Sequence, residues 1–176
     1  MKPYPAYKDS GIDWINQVPI DWVNRRVKSF IEYCINGVWG DEPINAQDDI
    51  ICVRVADFNM ANLGINKDNF TYRNISESQQ RNRLLSQCDI LIEKSGGRSI
   101  SVNIDKKAVC SNFIGRIVLK NNEVFSRYVE YLFTALYING LNQRAIKQTT
   151  GIQNLDTDLY FNESIFLIIC KQRDWT

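Results

Sequence analysis

The sequence predicts a mixed α/β domain, and three observations carry that reading. Runs of β-branched and apolar residues, bounded by turn residues, recur at Ile50–Val55, Ile90–Ile92, Ile100–Ile104, Phe113–Leu119 and Ile165–Cys170. One stretch, Ser126–Ile138, changes to helical spacing, with Val129, Leu132, Phe133, Leu136 and Tyr137 on one face. The length of 176 residues and the 44% hydrophobic content fit one domain with a real core.

Taken in order, residues 1–24 mix Tyr4, Tyr7, Trp14 and Trp22 with Pro3, Pro5 and Pro19. That fits neither a regular helix nor a long strand, and reads as an extended N-terminal arm whose rings pack onto the domain. Val23–Ile35 places Val27, Phe30, Ile31 and Cys34 on one helical face, as a short amphipathic helix or a strand–helix junction. Asn36–Gly40 breaks it. Trp39, in this glycine-flanked loop, either stacks on a base or sugar or plugs the core, and ring size favours the plug. After the strand at Ile50–Val55 come a polar loop with Gly64 and a short strand at Phe70–Tyr72. Ser76-Glu77-Ser78-Gln79 fits a capping box, opening a helix to about Leu85 with Arg81 and Arg83 exposed.

Ile90–Ile92 reads as a buried strand. Ser95-Gly96-Gly97-Arg98 turns the chain, and Ile100, Val102 and Ile104 then alternate with Ser101, Asn103 and Asp105 as a half-buried strand. Lys106-Lys107 makes the next turn, and Phe113–Leu119 returns as a strand carrying Arg116. Asn121-Asn122 is a turn ahead of the helix at Ser126, which Gly140 stops. A short helical piece follows at about 141–146, then the amide- and hydroxyl-rich stretch Lys147–Asp156, then the final strand.

Composition excludes several chemistries. There is no histidine, so imidazole bases, His-containing zinc sites and His-dependent triads are ruled out. Cys34, Cys52, Cys88, Cys110 and Cys170 form no C-x-x-C pair; they read as free buried thiols in a reducing cytoplasm. No apolar run has the length of a membrane span. The sequence has no phosphate-binding glycine loop and no N-P-P-Y or D-P-P-Y methyltransferase motif. Asp89, Glu93 and Lys94 invite a nuclease reading, but Glu93 and Lys94 are adjacent and so point to opposite faces of a strand. No catalytic residue and no metal ligand is assigned.

Two stretches suit nucleic acid. Gly96 and Gly97 permit positive φ and a close backbone approach, and Lys94 and Arg98 flank them with charge; this is either a contact to phosphate or an ordinary hairpin turn. Gln148, Thr149, Thr150, Gln153 and Asn154 carry the amides and hydroxyls that bond base edges, or else shape an N-cap and turn. The net charge of +1 requires any basic patch to be local, and Arg73–Lys107, with seven basic against four acidic residues, is the candidate segment.

The opening YKDSGIDWINQVPIDW, the segment DILIEKSGGRS followed by FIGRIVL, and QTTGIQNLD ahead of a final strand resemble the specificity subunit of type I restriction-modification systems. The likeness covers nearly the whole chain in the family's order. It implies a curved mixed sheet flanked by helices, forming one target recognition domain over residues 1–176. That domain would read one half of a split double-stranded DNA site, through Lys94, Ser95, Gly96, Gly97, Arg98, Arg116 and the Gln148–Asn154 loop. It implies no cofactor of its own, since S-adenosylmethionine is held by methyltransferase subunits; those subunits and a restriction subunit are the implied partners. Two departures stand out: Cys88 occupies a position where the family commonly has glycine, and the spacer helix and second recognition domain are absent. The competing function is a protein-interaction module that docks on a methyltransferase without affinity for DNA.

Overall fold

The computed structural model describes residues 4–47, 49–120, 126–149 and 152–168. From Tyr7 onward the expected arm is paired strand: β1 (Tyr7–Ile12) and β2 (Ile15–Pro19) form an antiparallel hairpin, and β3 (Trp22–Arg26) follows. Pro5 precedes the hairpin and Pro19 ends β2, so neither proline removes a donor from inside a ladder. Of the two readings of Val23–Ile35, the amphipathic helix is absent and the strand–helix junction is the one the structure forms. A single 3-10 turn (Val27–Phe30) separates β3 from β4 (Ile31–Asn36). Val27, Phe30 and Ile31 are buried as their spacing suggests, but one turn accounts for that spacing, and Ile31, Tyr33 and Ile35 suit extended chain.

β5 (Asp49–Val53), the short pair β6 (Phe58–Asn59) and β7 (Gly64–Ile65), and β8 (Tyr72–Asn74) come next. The Ser76 capping box forms as expected, with the Gln79 N–H donating to Ser76 Oγ and the Ser76 N–H donating to Gln79 Oε1. Its helix α1 (Glu77–Gln80) is only one turn long, because Arg81 leaves helical geometry at ψ 122 and Asn82 follows in the left-handed conformation at φ 61. β9 (Ile90–Glu93) and β10 (Ser99–Ser101) form a hairpin; Val102 and Ile104 keep the buried alternation beyond the strand. β11 (Ala108–Cys110), which sequence reading missed, precedes β12 (Ile114–Leu119). Helix α2 (Ser126–Ile138) has the expected bounds and buries Val129, Leu132, Phe133 and Leu136, while Tyr137 is exposed at the edge of the stripe. Gly140 ends the helix region at φ 71. A 3-10 turn (Leu141–Ala145), the hairpin β13 (Ile146–Thr149) and β14 (Ile152–Leu155), a one-turn α3 (Thr157–Tyr160) and β15 (Ser164–Ile168) complete the described chain. Asn121, Asn122 and Cys170 lie outside the described residues.

An antiparallel sheet in the order β10-β9-β12-β4 forms the middle layer. Ile90, Ile92 and Ile117 face α2 and join its apolar stripe, together with Tyr160, Phe161 and Ile165. Leu91, Ile100 and Ile114 face the other way, against Ile51, Val53, Ala108 and Cys110 of the sheet β11-β5-β8, in which β11 runs parallel to β5. The unbroken burial of Ile90–Ile92 therefore comes from a strand covered on both faces. The Phe133 ring sits 6.0 Å from Tyr160 and 6.1 Å from Phe161. Burial of each such side chain contributes roughly 1.5–3 kcal/mol. Trp39 does not plug this core. It is exposed, and the buried Arg73 guanidinium stacks on its ring at 4.6 Å while pairing with Glu42.

Candidate nucleic-acid interface

Strand register gathers three loops at one end of the middle sheet. β9 leaves it at Glu93, opposite Ile114 where β12 enters, and β4 leaves it at Asn36, opposite Gly115. The Lys94–Arg98 turn, the Ser111–Phe113 turn and the Asn36–Gly40 loop therefore share that end. The β13–β14 hairpin is tied to the same place, since the Leu155 N–H donates to the Lys94 carbonyl at 2.6 Å. The Lys94 N–H in turn donates to the Phe113 carbonyl at 3.0 Å. The two stretches singled out in the sequence thus lie side by side.

Gly97 is required by the turn and its packing. It has φ 78, its N–H donates to the Glu93 carbonyl at 2.8 Å, and a Cβ placed there would lie 3.0 Å from the Asn142 Cβ. Asn142 Nδ2 donates to the Gly96 carbonyl at 2.7 Å. The close approach at the two glycines is thus made by the 3-10 turn after α2, which is the hairpin-turn reading.

Charge at this end is partly neutralised. Buried Glu93 accepts hydrogen bonds from Ser95 Oγ at 2.7 Å and Arg98 Nε at 2.6 Å. Desolvation opposes ionisation of Glu93, but the hydrogen bonds from Arg98 and Ser95 and the Arg98 charge outweigh it, holding the carboxyl below its usual range. The same hydrogen bond raises the Arg98 pKa further. Arg116, expected to contact DNA, is instead 6% exposed, and its ion pair lies at the start of β9, away from the turn. Its Nε donates to buried Asp89 at 2.6 Å and its Nη1 to the Asn82 carbonyl at 3.0 Å. The two acids of the nuclease reading are therefore each spent on an arginine. Arg73, Arg98 and Arg116 of the basic segment are all ion-paired.

On the hairpin, Gln148 stands opposite Gln153 and Lys147 opposite Asn154, so the two glutamines share one face. All four side chains are exposed. Lys147 pairs with Asp156 at 2.5 Å, and the Asp156 carboxylate also accepts the Leu159 N–H to cap α3, so the N-cap reading of this stretch holds at its end. The hydrogen bond from Lys147 is the first cause that lowers the Asp156 pKa, and the same contact raises that of Lys147. Thr149 pairs with Ile152 through its backbone; Thr150 lies outside the described residues. Lys94 is half-buried and makes no ion pair among the described residues. Sequence reasoning missed Phe113, which it placed inside a strand. Its position directly after Ser111-Asn112, both polar, was the available signal for a turn.

Comparison with solved structures gives a consistent likeness. The HsdS subunit from Thermoanaerobacter tengcongensis matches with a TM-score of 0.53 at 15% identity, over 92% of this chain and 35% of that one. The S subunit of a type I restriction-modification system from M. genitalium matches at 0.54 and 15%, over 86% and 36%. The fold is that of a type I S subunit, over about a third of its length. A chain from a structure describing complex assembly and conformational transition of a type I R-M system matches at 0.58 and 13% identity, over 93% and 37%. No protein-family model and no curated protein matches the sequence.

Cys88, the first of the two departures expected from the sequence, takes φ 70, in the left-handed region that favours glycine. Among the described residues no helix is long and apolar enough to cross a membrane.

Proposed function

We propose that residues 1–176 act as one non-catalytic recognition domain that reads half of a split duplex DNA site for a type I restriction-modification complex. The supporting observation is the convergence, on an S-subunit fold, of the Lys94–Arg98 turn and the Gln148–Asn154 hairpin through the Leu155–Lys94 hydrogen bond. Lys94, and Lys147 at the hairpin's edge, meet phosphate. Gln148, Gln153 and Asn154 offer the paired donor and acceptor that adenine accepts in the major groove. Ser95, Thr149 and Thr150 add hydroxyls, and Gly96 and Gly97 hold the turn in place. Arg98 contacts the duplex with a charge already shared with Glu93, and Arg116 acts from inside by tying β12 to the start of β9 and to the turn after α1. Methyltransferase subunits supply S-adenosylmethionine and the methyl transfer, and a restriction subunit joins through the complex.

The test is duplex binding measured against salt concentration. Lys94→Ala weakens binding to all duplexes alike and lowers the salt slope by about 1. Arg98→Ala changes the slope less, since Glu93 already offsets its charge. Failure of the wild-type chain to retain any duplex at low salt overturns the reading. It would leave the protein-interaction module, which one observation favours: three of the four cations expected or found here, Arg98, Arg116 and Lys147, are ion-paired. Retention of a methyltransferase subunit without DNA affinity identifies that module.

A further inference from the structure

Phe113 is 67% exposed, yet the backbone that carries it is held on both sides. The Ser111 N–H donates to the Val53 carbonyl at 2.9 Å, and the Ile114 N–H closes the turn on the Ser111 carbonyl at 3.0 Å. Ser111 and Ile114 are buried, as are β11 before them and Gly115 to Ile117 after. The ring is thus displayed, two-thirds exposed, from a fixed turn. The hydrogen bonds from Lys94 to Phe113 and from Leu155 to Lys94 tie this turn to the Lys94–Arg98 turn and to the β13–β14 hairpin.

A phenyl ring bonds neither phosphate nor a base-edge donor or acceptor. The apolar group that an intact duplex offers at a base edge is the thymine C5-methyl, in the major groove. Exposed Asn112 beside the ring and exposed Asn154 on the hairpin bonded to Lys94 are of the type that bonds base edges in that same groove. We propose that Phe113 is a specificity-determining residue that reads a thymine methyl within the half-site; this rests on the DNA-recognition reading above. Covering one methyl group is worth about fourfold in affinity.

The experiment selects duplexes from a random library with the wild-type chain and with Phe113→Ala, then replaces each thymine of the selected motif by deoxyuridine. Melting curves of the two proteins establish that the variant folds, as an exposed position should allow. The expected result is a motif in which one thymine-to-deoxyuridine change weakens wild-type binding about fourfold, while Phe113→Ala binds both duplexes equally and keeps the wild-type salt slope. Equal binding of thymine and deoxyuridine duplexes by the wild type, a motif without thymine, or undiminished discrimination by Phe113→Ala overturns the inference and leaves DNA recognition standing. Selection of no motif by the wild type overturns the recognition reading and the inference with it.

Discussion

Glu93 is the residue on which the candidate interface turns. Its carboxylate takes the Ser95 hydroxyl and the Arg98 guanidinium, and so orders the turn from beneath. Because its folded pKa is depressed, the stabilisation is fully present above the unfolded value, about 4.3, and is lost as pH falls through the lower folded value. Glu93→Gln should cost about 1–2 kcal/mol at neutral pH and remove that part of the acid dependence. Unfolding midpoints of the two proteins between pH 5 and pH 3, on the order of one unit either side of the unfolded carboxylate pKa, check this. Parallel curves would show that Glu93 does not contribute the acid-sensitive stability. Arg116 shows the same chemistry used wholly for structure, since its ion pair with Asp89 is sealed between β9, β12 and the turn after α1.

The β9–β10 hairpin and its neighbours separate what can be read locally from what cannot. Gly97→Ala should destabilise the domain by about 1–2 kcal/mol, because an L residue resists the left-handed conformation and the new Cβ would press on Asn142. A denaturant midpoint equal to wild type would mean that the turn relaxes freely. That a turn lies here was legible from two adjacent glycines; that Asn142 demands the second of them was not, since it comes from a segment far along the chain. The α2 stripe and the Ser76 capping box were legible because both rest on contacts within one or two turns. The β1–β2 hairpin was obscured by Pro5, which precedes it, and Pro19, which ends β2, and β11 by its shortness and its parallel partner β5. Arg116 looked like a surface cation because its partner Asp89 is 27 residues away. Similarly, nothing local to Gly37 announces that a Cβ there would overlap the Cys110 carbonyl.

Each of the three core clusters of the molecule carries a thiol. Cys34 packs against the cluster under α2, Cys110 belongs to the one between the sheets, and Cys52 to the one beside Val38. Burial pushes Cys34 and Cys52 up to about 11 and Cys110 to about 12, which keeps all three protonated and unreactive in the native protein at neutral pH. Cys88, expected to be buried with the others, is instead exposed in the turn before β9 and should take an alkylating reagent without unfolding. Mass mapping of labelled peptides across a urea series should show Cys34, Cys52 and Cys110 becoming reactive at one shared midpoint, as a single cooperative domain requires; separate midpoints would divide it. The pairing of β3 with β15 bears on how such a domain is made. Arg26 reaches Ser164 across 138 residues, a length that a ribosome adding about 5–20 residues per second takes roughly 7–28 s to supply. During synthesis, Trp22–Arg26 therefore emerges long before its only strand partner among the described residues exists. Until then the nascent protein carries an open edge, and of the described strand pairs the one that joins its early and late segments is the last that can form.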